Sequence, residues 1–202
     1  MKRKATIQQI TMTALAVFGL VFSSEAATEG QVDRSAENVV RFISDAPFED
    51  FEGVTSEIDG YVYWEKDTLS PGTGYDNSKI YFEVLLSDLE TGIGMRDRDM
   101  REDYLETGKY PYAKFEGTIG EVRRKSDSSV VVWSSGTMTI HGVTNDLTLQ
   151  STVTLRNGAY RIESQFPIRL GDYKIEVPQM LFMRISETVE VELDFVVTRA
   201  ER

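Results

Sequence analysis

The chain contains no cysteine, so no disulfide braces it and no lipid can be attached through an N-terminal cysteine. It has a single histidine, His141, which leaves a transition-metal centre with carboxylates as its only further ligands. A serine-hydrolase elbow of the form Gly-x-Ser-x-Gly is absent, as are a P-loop and a Gly-x-Gly-x-x-Gly turn. Basic residues are scarce, 22 against 33 acidic, and both nucleic acid and anionic lipid surfaces call for a basic footprint. The longest apolar run, Ile10 to Phe22, is too short to span a bilayer comfortably. An integral membrane protein and a nucleic-acid binder are therefore not expected.

That run is preceded by Met1-Lys2-Arg3-Lys4 and followed by Ser24-Glu25-Ala26-Ala27. A basic start, a short apolar segment and small residues at its end predict a cleaved secretory signal peptide over residues 1–26. Cleavage removes Lys2, Arg3, Lys4 and Glu25, leaving 19 basic and 32 acidic residues and a net charge of −13. Residues 27–202 suit one domain. No Pro-rich or Ser-rich linker divides them, and Asp67 to Asn77 reads as an extended turn.

What the mature chain does have is alternation. In the C-terminal run, Ile185, Val189, Val191, Leu193, Phe195 and Val197 fall on one parity, with Thr188, Glu190, Glu192, Asp194 and Thr198 on the other. That is a strand with one dry side. Comparable runs are Val39–Ser44, Val54–Glu65, Ile80–Leu86, Tyr112–Val122, Val130–His141, Thr144–Arg156 and Tyr160–Phe166, giving eight candidate strands. His141-Gly142 marks a hairpin corner between two of them. Closing an antiparallel sheet on itself removes both edges, so the expected fold is all-β, an eight-stranded antiparallel barrel. A two-sheet sandwich is the alternative, since alternation does not separate the two closures. Met95 to Glu106 is the one helical candidate, stopped by Gly108 and Pro111.

Three stretches carry a family resemblance. Asp88-Leu89-Glu90-Thr91-Gly92-Ile93-Gly94-Met95-Arg96-Asp97-Arg98-Asp99-Met100, continued by Tyr104-Leu105 and Lys109-Tyr110-Pro111-Tyr112-Ala113-Lys114-Phe115, resembles the segment of YceI-like proteins where an Arg-Asp pair opens a short helix and a Tyr-Pro step enters a strand. Thr139-Ile140-His141-Gly142-Val143-Thr144 resembles that family's hairpin, and Val39-Val40-Arg41-Phe42 with Phe51-Glu52-Gly53 is a weaker match. The resemblance implies a lipocalin-like barrel, a periplasmic or exported location and an isoprenoid-type lipid or quinone-like tail held inside. Many relatives carry a histidine shortly after the first strand. This chain has Ile43-Ser44-Asp45-Ala46-Pro47 there, so a headgroup contact from that position is not carried over.

Phe42, Phe82, Phe115, Met138 and Phe166 fall on the dry parity of their strands, while Phe48, Phe51, Met180, Leu181 and Phe182 lie on loop-like segments. Met and Phe together make an adaptable apolar lining; the plain alternative is that they fill a solid core. The expected ligand-binding residues are Phe42, Phe82, Met95, Phe115, Met138, His141, Phe166 and Phe182. His141 either meets a ligand headgroup or ties down its own turn. Asp97, Asp99, Glu102 and Asp103 are weak cation candidates because Arg96, Arg98 and Arg101 interleave with them, a mix usual on solvated surface. No catalytic residue, metal or cofactor is expected, apart from the bound lipid. The rivals are a lipid-precursor hydrolase or isomerase on the same barrel and an acidic interaction module, and a homodimer stays open.

Overall fold

The computed structural model describes residues 27–44, 51–177, 179–180, 183–184 and 186–200. Residues 1–26, expected to be a signal peptide, and Phe48, Leu181, Phe182 and Ile185 lie outside the described residues, and Phe51 and Met180 are described by their backbone only. The strands are β1 (Thr28–Val32), β2 (Val39–Ser44), β3 (Phe51–Thr55), β4 (Ile58–Trp64), β5 (Lys79–Leu85), β6 (Tyr112–Arg124), β7 (Ser129–Ile140), β8 (Val143–Arg156), β9 (Ala159–Arg169), the short β10 (Gln179–Met180) and β11 (Met183–Arg184), and β12 (Thr188–Arg199).

Neighbouring strands run antiparallel in the order β1-β4-β5-β6-β7-β8-β9-β12, and β12 pairs back onto β1. The result is a closed eight-stranded barrel. Two of its staves are each broken in two. The first consists of β1 and β2, which share β12: Gly30–Val32 pair with its C-terminal end and Val39–Ile43 with its N-terminal half. Asn38 occupies the break and is buried. Its side-chain oxygen accepts the Val196 amide at 3.0 Å and its NH₂ donates to the Asp33 carbonyl at 2.9 Å, so a side chain stands in for the missing ladder. The second broken stave is β3 and β4, read from the sequence as one strand. It turns at Ser56-Glu57, where the Thr55 hydroxyl accepts the Glu57 amide and the Ser56 carbonyl accepts the Ile58 amide.

Phe51 and Met180, expected on loop-like segments, lie in β3 and β10 because each segment pairs with a neighbouring strand, and β1, like the short β10 and β11, is a strand that the alternation did not reveal. Glu29, Gly30 and Gln31 offer little apolar signal, and Gly30 is needed at the seam because a Cβ there would lie 2.6 Å from Val197 Cγ1. One end of the barrel is capped by the Asp67–Asn77 loop. Buried Tyr75 holds that loop by donating from its hydroxyl to the Ser70 carbonyl, and Gly72 pairs with Val122. The other end carries helix α1 (Gly94–Asp99), which runs on into a wider π-type turn at Met100–Tyr104. Among the described residues no helix is long and apolar enough to cross a membrane.

Candidate functional site

The dry parity of the strands becomes two rows of side chains across the barrel wall. On one side Gly60, Phe82, Phe115 and Met138 are successive cross-strand partners over β4, β5, β6 and β7. On the other, Gly53, Phe42, Val191 and Phe166 are successive partners over β3, β2, β12 and β9. Each row ends on a glycine beneath an aromatic ring: a Cβ at Gly53 would come within 2.6 Å of Phe42 Cζ, and one at Gly60 within 2.9 Å of Phe82 Cδ1. The glycines give the rings room to lie against backbone, which packs a strand position that has no side chain of its own.

Between the rows lies a cavity of about 460 Å³, within the size range of small-molecule sites. The interior is therefore hollow at the helix end. Phe42, Phe82, Met95, Phe115, Met138 and Phe166 all line it. Ile93 and Met95 stand at its rim, 54% and 71% exposed. Among the described residues the charged side chains in the lining are Arg41, Arg96 and Asp99; the sequence places Arg96 and Asp99 on a solvated, mixed-charge helix face and marks Arg41 only within the weaker family match.

The segment over the mouth is pinned by polar contacts. Val54 and Glu90 exchange both backbone hydrogen bonds, at 2.9 and 3.0 Å. Asp97, expected on a solvated face, is instead buried. Its carboxylate accepts the Thr91 amide at 2.7 Å and the Thr91 hydroxyl at 2.5 Å. Burial opposes its ionisation, but the Thr91 hydrogen bonds and the nearby Arg101 and Arg96 charges outweigh it and hold the carboxyl below the ordinary aspartate range. Arg96 donates to the Thr91 hydroxyl and carbonyl, and Arg101 to the Leu89 carbonyl, all at 2.8 Å. Among the described residues no group of three or more acidic or histidine side chains converges as a metal site.

His141 is not among the residues lining the cavity. It and Gly142 form the two-residue β7–β8 turn, both with positive φ (51° and 71°), the geometry that matches strand twist in tight hairpins. Its ring meets Tyr110 edge to face at 4.8 Å, Nδ1 lies 3.2 Å from the Tyr173 carbonyl and Nε2 2.9 Å from Glu106 Oε2. The histidine thus ties the hairpin to the helix-side loop and to the turn after β9.

At the closed end is a second chamber, of about 70 Å³, bounded by the edge-to-face pair Trp64 and Tyr160, whose ring centroids are 5.5 Å apart. Phe82, Phe115 and Leu193 border both chambers. Phe82 also meets Phe195 edge to face at 4.9 Å, and because β5 and β12 are not neighbours in the sheet, this contact crosses the lumen.

Known proteins share this architecture. The chain superposes with a TM-score of 0.65 on the crystal structure of BcnA from Burkholderia cenocepacia, covering 83% of this chain and 99% of that one at 16% identity. With a polyisoprenoid binding domain from Saccharophagus degradans the TM-score is 0.63, over 87% of this chain and 100% of that domain at 17% identity. In sequence it is 28% identical over 177 residues to a UPF0312 protein of Yersinia enterocolitica, covering 82% of this chain and 86% of the relative. A UPF0312 protein of Yersinia pestis is 27% identical over 176 residues. Residues 31–197 match the YceI-like domain, and with the closed barrel and its hollow helix-side end in view, this chain belongs to the YceI-like family.

Proposed function

We propose that this protein is exported to the periplasm and there binds an isoprenoid-type lipid, a polyprenyl chain or a quinone-like tail, inside its barrel, for sequestration or transport rather than for catalysis. The observation that carries the reading is the apolar cavity of about 460 Å³ between two rows of inward Phe, Met and Val side chains. Each methylene buried there contributes about 0.8 kcal/mol, so a few isoprene units outweigh the cost of ordering a tail. Phe42, Phe82, Met95, Phe115, Met138 and Phe166 would hold the tail, and the rim residues Arg96 and Asp99 would meet the polar end. The structural likeness to a domain described as polyisoprenoid binding supports the same class of ligand. His141, engaged by Tyr173 and Glu106, serves the turn.

Calorimetric titration of the delipidated protein with farnesol tests the reading. Saturable binding with a negative heat-capacity change is expected, because apolar surface is buried. Absence of any binding to farnesol and longer prenyl alcohols contradicts it.

A further inference from the structure

We infer that the aromatic partition between the two chambers, with Phe82 at its centre, sets the length of chain the barrel accepts; this rests on the lipid-binding reading above. A tail entering at the α1 end runs along the larger cavity and meets Phe82, Phe115 and Leu193, the residues that border both chambers. Phe82 is braced from two directions. Gly60 lies beneath its ring, and Phe195, 1% exposed on the far side of the barrel, meets it edge to face at 4.9 Å. A ring that rests on backbone on one side and on a second buried ring on the other cannot swing aside without losing both contacts. The partition therefore ends the usable cavity while unfilled space remains behind it.

The volumes give the length. At about 30 Å³ for each heavy atom, the liquid-like share of one water, the larger cavity holds on the order of fifteen heavy atoms, or about three isoprene units. Removing the Phe82 ring frees the space of its six carbons and joins the second chamber of about 70 Å³, together room for about eight heavy atoms, or between one and two further isoprene units. Phe82 is thus a specificity-determining residue for chain length.

The test is a length series of geraniol, farnesol, geranylgeraniol and geranylfarnesol titrated against the wild type, Phe82→Ala and Leu193→Ala. Wild-type affinity is expected to rise steeply, by about fourfold for each carbon buried, and to level off near three units. In Phe82→Ala the levelling-off point moves longer by between one and two units, and adding Val153→Phe, which refills the second chamber, moves it back toward the wild-type length. Leu193→Ala opens the same partition and shifts the point in the same direction, which keeps the test available if Phe82→Ala does not fold. Binding by the wild type with one levelling-off point in every folded variant overturns the length rule and leaves the lipid reading standing. Failure of the wild type to bind any member of the series overturns both.

Discussion

Gly60 and Phe82 face each other across β4 and β5, and the space a Cβ would need at Gly60 is taken by the Phe82 ring and by the backbone of Tyr81. Gly60 also has φ +138°, which an L side chain rarely adopts. Gly60→Ala is therefore expected to destabilise the barrel by about 1–3 kcal/mol through backbone strain and displacement of the ring. Chemical denaturation measures the loss, and an unchanged midpoint would show that Phe82 does not depend on the glycine.

Met138→Trp separates a ligand cavity from a solid core. Met138 closes the row that begins at Gly60, and it lines the larger cavity. With empty space beside it, the indole is expected to block prenyl-alcohol binding while costing less than the 1–3 kcal/mol typical, at about that size, of overpacking. Loss of the fold in the variant, with no prenyl-alcohol binding by the wild type, would point to a filled interior.

The role of His141 is checked with His141→Gln. Among the described residues its ring bonds to Tyr173 and Glu106 and packs on Tyr110, so stability is expected to fall by about one hydrogen bond, roughly 0.5–1.5 kcal/mol. Farnesol affinity should not change. A large loss of affinity without loss of stability would place the histidine at the ligand.

Asp97 makes the mouth segment sensitive to acid. Its carboxyl titrates below the ordinary aspartate range in the folded protein. The ionised form therefore stabilises the fold fully above the unfolded aspartate value, and that contribution is lost as pH falls through the lowered folded value. Asp97→Ala is expected to cost about 1–3 kcal/mol at neutral pH by leaving the Thr91 donors unpaired. The gap between wild type and variant, followed by thermal melting, should close in acid.

Export is tested by N-terminal sequencing of the protein from its own host. A start near Ala27 or Thr28 in the envelope fraction is expected. Recovery of intact Met1 from the cytoplasm would contradict it.

Much of this was legible because a barrel wall enforces period-2 alternation: the parity of Phe42, Phe82, Phe115, Met138 and Phe166 placed each of them in the cavity lining. Three features were not legible. β1 carries Gly30 where closure needs close approach, so the strand that seals the barrel has the weakest apolar signal. Asn38 and Asp97 look like surface residues by type, yet each is buried by hydrogen bonds to groups distant in sequence or fixed by the fold. The division of the interior into two chambers depends on Phe82 meeting Phe195 across the lumen, a contact between non-adjacent strands that no local pattern encodes.

Whether an apolar chain occupies the barrel is read out by native mass spectrometry of the protein purified from its own host. A mass above that of the polypeptide is expected which, on collisional activation, releases a species identified as an isoprenoid lipid, and this species should be lost in Met138→Trp. A wild-type protein that flies at the bare polypeptide mass, and that takes up no prenyl lipid when supplied with it, would show that the barrel does not bind such a chain.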